Sequence, residues 1–348
     1  MSPGSSATLT KDAAAFRWED MVENSRLLDI RDLVTRFYTE DGVVRAVDGN
    51  SLHLDAGETL GIVGESGSGK TVTALSIMGL IENPGRIDSG SILFRGEELL
   101  DKTPQEMQDI RGRDIAMVFQ DPMNSLNPTL TVGEQVDRVL RFHTSLPREK
   151  RKRQIVELLQ QVEIPEPAKR VGNYPHQLSG GMRQRVLIAM AMSCNPTVLI
   201  LDEPTTALDV TIEAQIFELV DKLKTHFGMG IILITHDLAV VANSCDRVVV
   251  MYAGRIVEEA PVIDLYEDPL HPYTRGLLNS IPPLDQEKQE RLPSIPGEVP
   301  ELINLPEGCN FSPRCKYAVE KCTHDDPPLV RIAPGRKVAC WKVGEFVE

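Results

Sequence analysis

The chain has 348 residues, with 51 acidic against 37 basic side chains and a formal charge of −14, enough for one large α/β domain and a smaller appendage. That acidity argues against a nucleic-acid surface, which needs a basic stripe to neutralise phosphates. No apolar run approaches the ~20 residues that span a bilayer, and Met1 to Asp20 lacks the basic start and apolar stretch of a signal peptide, so a cytoplasmic location is expected.

Residues 1–25 are small, polar and aperiodic, as in a mobile extension. From Leu27 to Leu60 the pattern alternates like strands, with stretches Val43 to Val47 and Ser51 to Leu54 broken by turn signals at Asp41-Gly42 and Ala56-Gly57. An antiparallel sheet is expected there. Thr59 to Val63 is a short apolar strand, Gly64 to Gly69 a glycine-rich turn and Thr71 to Leu80 an apolar helix, the strand, loop and helix of a mononucleotide fold. The polar, arginine-rich stretch from Asp101 to Arg170 has helical periodicity interrupted by Pro122, Pro128 and Pro147, and reads as a helical insertion. Thr197 to Leu201 and Gly230 to Thr235 are rich in branched apolar residues, suited to the centre of a parallel sheet. A last strand runs from Arg247 to Tyr252. Beyond Pro282-Pro283 the composition turns to proline, loops and cysteine, which puts a boundary near residue 285.

Three segments carry chemistry. Gly64-Glu65-Ser66-Gly67-Ser68-Gly69-Lys70-Thr71 fits G-x-x-x-x-G-K-[ST], in which glycines let backbone N–H groups converge on phosphates at a helix N-terminus. Lys70 is then the group for the β- and γ-phosphates of ATP, and Thr71 a magnesium ligand. Val198 to Glu203 ends a buried strand in an acidic pair, Asp202 for the magnesium shell and Glu203 to polarise the attacking water. Alone, such a pair is often a solvated strand end; after a phosphate loop it is a hydrolytic site.

The third segment, Leu178-Ser-Gly-Gly-Met-Arg-Gln-Arg185, resembles the signature motif of the ATP-binding-cassette (ABC) ATPases. The resemblance runs from about Leu27 to Trp341. It implies an α/β fold with a RecA-like parallel-sheet core, an antiparallel β subdomain and a helical subdomain at about 101–195 within a nucleotide-binding domain of 26–285, followed by a small Cys-rich C-terminal domain over 286–348. It further implies that Ser179, Gly180 and Gly181 contact the γ-phosphate held by an opposite subunit. Gln120 would be the Q-loop residue and a magnesium ligand, Asp209 the D-loop aspartate and His236 the switch histidine. A histidine after a strand is usually structural; His236 follows Thr235, where a γ-phosphate contact is expected. Phe37 would stack on adenine, although core packing explains a strand aromatic about as well.

Met182 replaces the common signature Gln. Together with Gln120-Asp-Pro-Met-Asn-Ser-Leu-Asn-Pro128 and His271-Pro-Tyr-Thr274 it looks like the branch serving oligopeptide and dipeptide importers, which also includes importers of nickel, glutathione and other small solutes. Members work with two transmembrane permease subunits, a second, paralogous ATPase and an extracytoplasmic solute-binding protein, at the cytoplasmic face of a prokaryotic plasma membrane, without nucleic acid. Rival readings are a non-transport ABC ATPase, against which stand the single cassette and the acidic charge, and a regulatory module that senses redox state.

Cys309, Cys315, Cys322 and Cys340, separated by five, six and seventeen residues, are four soft ligands in a loop-rich segment, suited to tetrahedral zinc or a four-iron cluster. Close C-x₂₋₄-C pairs, common in zinc sites, are missing. The spacing therefore favours [4Fe-4S], as does the importer resemblance, with Zn²⁺ or no metal as alternatives. Cys194 and Cys245 read as small apolar side chains.

Overall fold

A computed structural model describes residues 26–120, 125–206, 208–281 and 295–345. The extension over 1–25, the boundary near residue 285 and residues 121–124 of the Gln120 to Pro128 motif lie outside the described residues. β1 (Arg26–Thr39) and β2 (Gly42–Asp55) pair antiparallel along their whole length. The two stretches Val43 to Val47 and Ser51 to Leu54 are thus one strand: Asn50, in the polar run between them, receives the Ile256 N–H at 2.9 Å and donates to the Gly254 carbonyl at 3.0 Å, so the chain stays extended.

β3 (Thr59–Val63) is buried at every residue and leads through the glycine loop into α1 (Lys70–Ile77). β4 (Gly85–Phe94) and β5 (Glu97–Glu98) complete a four-stranded antiparallel sheet of order β2-β1-β4-β5. α2 (Pro104–Ile110) starts with a capping box, Thr103 and Glu106 exchanging bonds with each other's backbone. The arginine-rich stretch then departs from its helical reading. β6 (Ile115–Val118) is a strand, paired parallel from Ile115↔Val198 to Val118↔Leu201.

The helical layer follows: α3 (Val132–His143), capped by Thr131 and Glu134 in a second box, α4 (Arg148–Gln161), α5 (Pro167–Arg170) and α6 (Gly180–Met192). Arg151 of α4 holds Asp137 of α3 at 2.7 Å. β7 (Val198–Asp202), α7 (Val210–Phe227), β8 (Gly230–Thr235), α8 (Leu238–Ser244) and β9 (Arg247–Tyr252) alternate, as a parallel sheet requires. The parallel core runs β9-β3-β8-β7-β6. Each strand is an apolar run because helices or the antiparallel sheet cover both faces.

The C-terminal part is not set apart from this core. β10 (Arg255–Pro261) pairs with β9; after α9 (Val262–Glu267), α10 (Pro272–Asn279) and α11 (Glu320–His324), β11 (Val330–Ala333) and β12 (Arg336–Val338) extend the same eight-stranded sheet. The junction is Glu258↔Val338 and Glu259↔Lys337. Phe311 joins the main core, stacked edge-on to Tyr252 with ring centroids 5.1 Å apart. Two buried carboxylates on β10 are satisfied. Glu259 binds Arg247 at 2.8 Å and Lys337 at 2.9 Å, and Glu258 accepts the Leu270 and His271 N–H groups.

Candidate nucleotide site

The glycine loop is shaped by what it must clear. Gly64 and Gly69 have φ of 155° and 102°, and a Cβ on either would lie 2.2 Å from a backbone oxygen, that of Met251 or Ala46. At these two positions the loop is pressed against β9 and β2 with no room for a side chain. Gly69 caps α1 without a side-chain bond, leaving the first-turn N–H groups that helix geometry orphans to an incoming anion. Ser68 has its hydroxyl buried without a partner. The Lys70 ammonium turns back onto the carbonyl oxygens of Gly64 and Glu65, at 2.8 and 3.0 Å. A cation parked on loop carbonyls, a buried orphan hydroxyl and an uncapped helix start together fit a polyphosphate. Burial lowers the Lys70 pKa from its ordinary value, opposed by the nearby carboxylates of Glu203, Asp202 and Glu65.

The acidic pair stands at the end of β7, one strand beyond β8 from the loop. Thr71 Oγ1 donates to Asp202 Oδ1 at 3.1 Å, which joins the two expected magnesium ligands directly. Asp202 is buried, and desolvation raises its pKa despite that bond, with Glu203 adding to the rise. A divalent cation would relieve this, and the pair of oxygens on Thr71 and Asp202 suits the hard ligands that Mg²⁺ takes.

Glu203 sits at φ 44° with its N–H on the Ile234 carbonyl at 2.9 Å, a left-handed turn that swings its carboxylate off the strand. Three groups meet it there: Gln120 Nε2 at 2.8 Å, Thr206 Oγ1 at 3.2 Å and His236 Nδ1 at 3.4 Å. Gln120 and His236 come from the ends of β6 and β8, the neighbours of β7 in the parallel sheet, so strand order alone brings them together. His236 is 63% exposed and Glu203 16%, which leaves the histidine open on the side away from the carboxylate.

The signature residues form another constellation. Ser179 caps α6, accepting the Met182 N–H at 3.3 Å. A Cβ on Gly180 would lie 3.2 Å from Leu208 and one on Gly181 2.7 Å from Ile212; these two residues flank Asp209, the N-cap of α7. Phe37 is half-buried, and a Cβ on Gly85 of β4 would fall 2.6 Å from its ring. Its neighbour Tyr38 is bonded to Asp88 at 2.7 Å, with the Arg86 guanidinium 4.2 Å above its ring.

Cys309, Cys315, Cys322 and Cys340 line one cavity of about 20 Å³ with His271, Phe311 and Trp341. Among the described residues, however, no group of three or more His, Cys, Asp or Glu side chains is placed to hold a metal ion. The expected four-thiolate ligand set is thus not formed. Burial pushes the Cys309 and Cys340 thiols up to about 11 and the Cys315 thiol upward. All six cysteines are free. Cys245 is buried against Gly61, with its pKa raised to about 12, whereas Cys194 is only half-buried.

Sequence reasoning missed two residues on the loop. Tyr273 accepts the Glu65 N–H at 2.8 Å, and Arg314 binds the Glu65 carboxylate at 2.7 Å. Tyr273 stands within the His271 to Thr274 motif, which was the only signal for it.

The ABC transporter family matches residues 47–206, and the family described as the C-terminal region of oligopeptide/dipeptide transporters matches residues 257–322. A probable peptide ABC transporter ATP-binding protein of Sinorhizobium fredii is 51% identical over 92% of this chain and 96% of its own length. The oligopeptide transport ATP-binding protein OppD of Bacillus subtilis is 52% identical over 92% of this chain and 90% of its own. Among solved structures, the dimeric post-hydrolysis state of the cassette MJ0796 with ADP and Pi superposes with a TM-score of 0.61 at 29% identity, covering 68% of this chain and 98% of that one. Among the described residues no helix is long and apolar enough to cross a membrane. The chain belongs to the ABC transporter ATP-binding proteins that carry the oligopeptide/dipeptide transporter C-terminal region.

Proposed function

We propose that this chain is the ATP-hydrolysing subunit of an ABC importer that takes up di- and oligopeptides, held on the cytoplasmic face of the plasma membrane by two permease subunits. A second, paralogous ATPase would face it and an extracytoplasmic solute-binding protein would deliver the cargo. The observation that carries the enzymatic part is the convergence of Gln120, Thr206 and His236 on Glu203, beside the Thr71–Asp202 pair. The peptide cargo rests on the names of the relatives.

In this reading the loop amides, Ser68 and Lys70 bind the phosphates, and Thr71, Asp202 and Gln120 would hold Mg²⁺, which would supply charge neutralisation at the transferring phosphoryl group. Glu203 accepts a proton from the attacking water, its carboxylate oriented by Gln120 and Thr206. His236 offers its exposed edge to the γ-phosphate. Phe37 carries adenine. Ser179, Gly180 and Gly181, with Asp209 beside them, complete the partner's site, so an isolated chain hydrolyses slowly. Dimer closure and reopening drive the permeases.

The test is uptake of a labelled dipeptide and a labelled tripeptide by cells lacking this chain. Restoration by wild type and not by Lys70→Ala supports the reading. Unchanged peptide uptake in the deletion, with loss of nickel or glutathione uptake, moves the cargo to that class.

The cysteine quartet belongs to the same reading as a holder of [4Fe-4S], or alternatively Zn²⁺. The support is a common cavity and a segment that gains stability from cross-linking. Iron, sulfide and zinc analysis after anaerobic purification decides it, and metal-free protein refutes it. No step of hydrolysis depends on it.

A further inference from the structure

The C-terminal segment reaches the phosphate loop through the Arg314 side chain. Arg314, in a single turn of 3₁₀ helix (Ser312–Arg314), is 5% exposed and grips Glu65 with both arms of its guanidinium. Nη1 donates to Oε2 at 2.7 Å and Nη2 to Oε1 at 3.1 Å. The guanidinium is itself fixed: Nε donates to the Pro296 carbonyl at 3.0 Å, Nη2 to that of Ile295 at 3.4 Å and Nη1 to Tyr252 Oη at 3.4 Å. Glu65 is the second residue of the loop. Its carbonyl takes the Lys70 ammonium and the Ser68 N–H at 3.0 and 3.2 Å, and its own N–H goes to Tyr273. The same C-terminal stretch is pinned by Asn310, which donates to the Ala253 carbonyl at 3.0 Å; the next residue, Gly254, gives its N–H to the Ser68 carbonyl, also at 3.0 Å.

We propose that Arg314 is a positioning residue for nucleotide binding, fixing Glu65 and thereby holding the phosphate loop in the shape that receives ATP. The inference rests on the nucleotide-site reading. A glycine-rich loop loses conformational freedom when it closes on a ligand, and anchoring it beforehand reduces that cost. A bidentate arginine–carboxylate pair is the strong, directional form of such an anchor. Because Arg314 is held by three further acceptors, the Ile295 and Pro296 carbonyls of its own segment and Tyr252 of β9 in the core, the anchor is the arginine and the held part is the loop.

A double-mutant cycle on the full chain tests this, with Arg314→Met, Glu65→Gln and their combination. ATP affinity is measured with a fluorescent ATP analogue, and kcat and KM in the assembled transporter. Each single variant is expected to weaken binding about tenfold and raise KM, with kcat largely kept. The combination should be no worse than the poorer single, and Arg314→Lys should fall between, since a point charge lacks the fork. Independent, multiplying losses overturn the proposal, as does a lowered Tm with unchanged affinity. Should Arg314→Met not fold, Glu65→Gln carries the test, because Glu65 is 30% exposed and loses only its charge; unchanged affinity there overturns the proposal as well. Wild-type protein that binds no ATP would instead refute the nucleotide site itself.

Discussion

Two glycines of the phosphate loop should respond to the same substitution very differently. Gly67 has φ 77° and open space around an added Cβ, whereas Gly69 has φ 102° and would place that Cβ 2.2 Å from the Ala46 carbonyl oxygen and 3.2 Å from the Met251 methyl. An alanine forced to positive φ costs about 1–2 kcal/mol; at Gly67 that is the whole penalty. At Gly69 the collision adds roughly 1–3 kcal/mol of displaced backbone, for a total of about 2–5 kcal/mol. If the loop relaxes, the cost falls on ATP binding; if it does not, it falls on stability. Both are therefore read, by analogue titration and by thermal melting without nucleotide. Gly67→Ala should lose about five- to thirtyfold in affinity with little change in Tm. Gly69→Ala should lose more than about thirtyfold, or melt several degrees lower. Equal behaviour of the two variants in both assays would refute the account of why the loop is pressed against β2.

Asp202→Asn should stabilise nucleotide-free protein at pH 7 by about 0.5–2 kcal/mol, the range usual for a single stabilising substitution, seen as a higher Tm, while abolishing magnesium-dependent hydrolysis. The sign follows from burial: a carboxyl whose folded pKa is raised favours folding only while protonated, and its contribution is lost as pH rises through that value. The advantage of Asn should thus vanish in acid, below the ordinary carboxyl pKa of about 3.9. Arg247→Met leaves Glu259 and Glu58 without the guanidinium that each binds at 2.8 Å, and should cost about 3–5 kcal/mol, seen as a fall in Tm that Glu259→Gln partly restores. Gly181→Ala, which drives a Cβ into Ile212 at 2.7 Å, should spare the chain's own ATP affinity but reduce hydrolysis in the assembled pair; loss of its own affinity would contradict action on the partner's nucleotide.

Where a short segment was dominated by branched apolar residues, its place was readable in advance. β3, β8 and β9 occupy the residues expected of them. Ile115 to Val118 was not readable, because four residues are too few to show a period and the strand is defined by pairing with β7. β10 reads as charged through Glu258 and Glu259, whose partners Arg247, Lys337, Leu270 and His271 are brought to them by the tertiary fold. The candidate residues stood out by type and spacing, from Lys70 to Glu203, and the fold brings Thr71 to Asp202 and Gln120 and His236 to Glu203. The supports were not: Tyr273 and Arg314 meet Glu65 across 208 and 249 residues, a separation at which no local pattern exists. The cysteine spacing announced four thiols in one segment, and the fold places all four around one cavity with His271, Phe311 and Trp341, neighbours that the spacing could not supply.

The central claim is that Glu203 activates the water that attacks ATP, and Glu203→Gln tests it most directly. The amide keeps the size of the side chain and its place beside Gln120, Thr206 and His236, but cannot accept the proton. In the assembled transporter, ATP binding should be retained and hydrolysis should fall by about a hundredfold or more, with ATP trapped unhydrolysed. Hydrolysis near the wild-type rate would contradict the assignment.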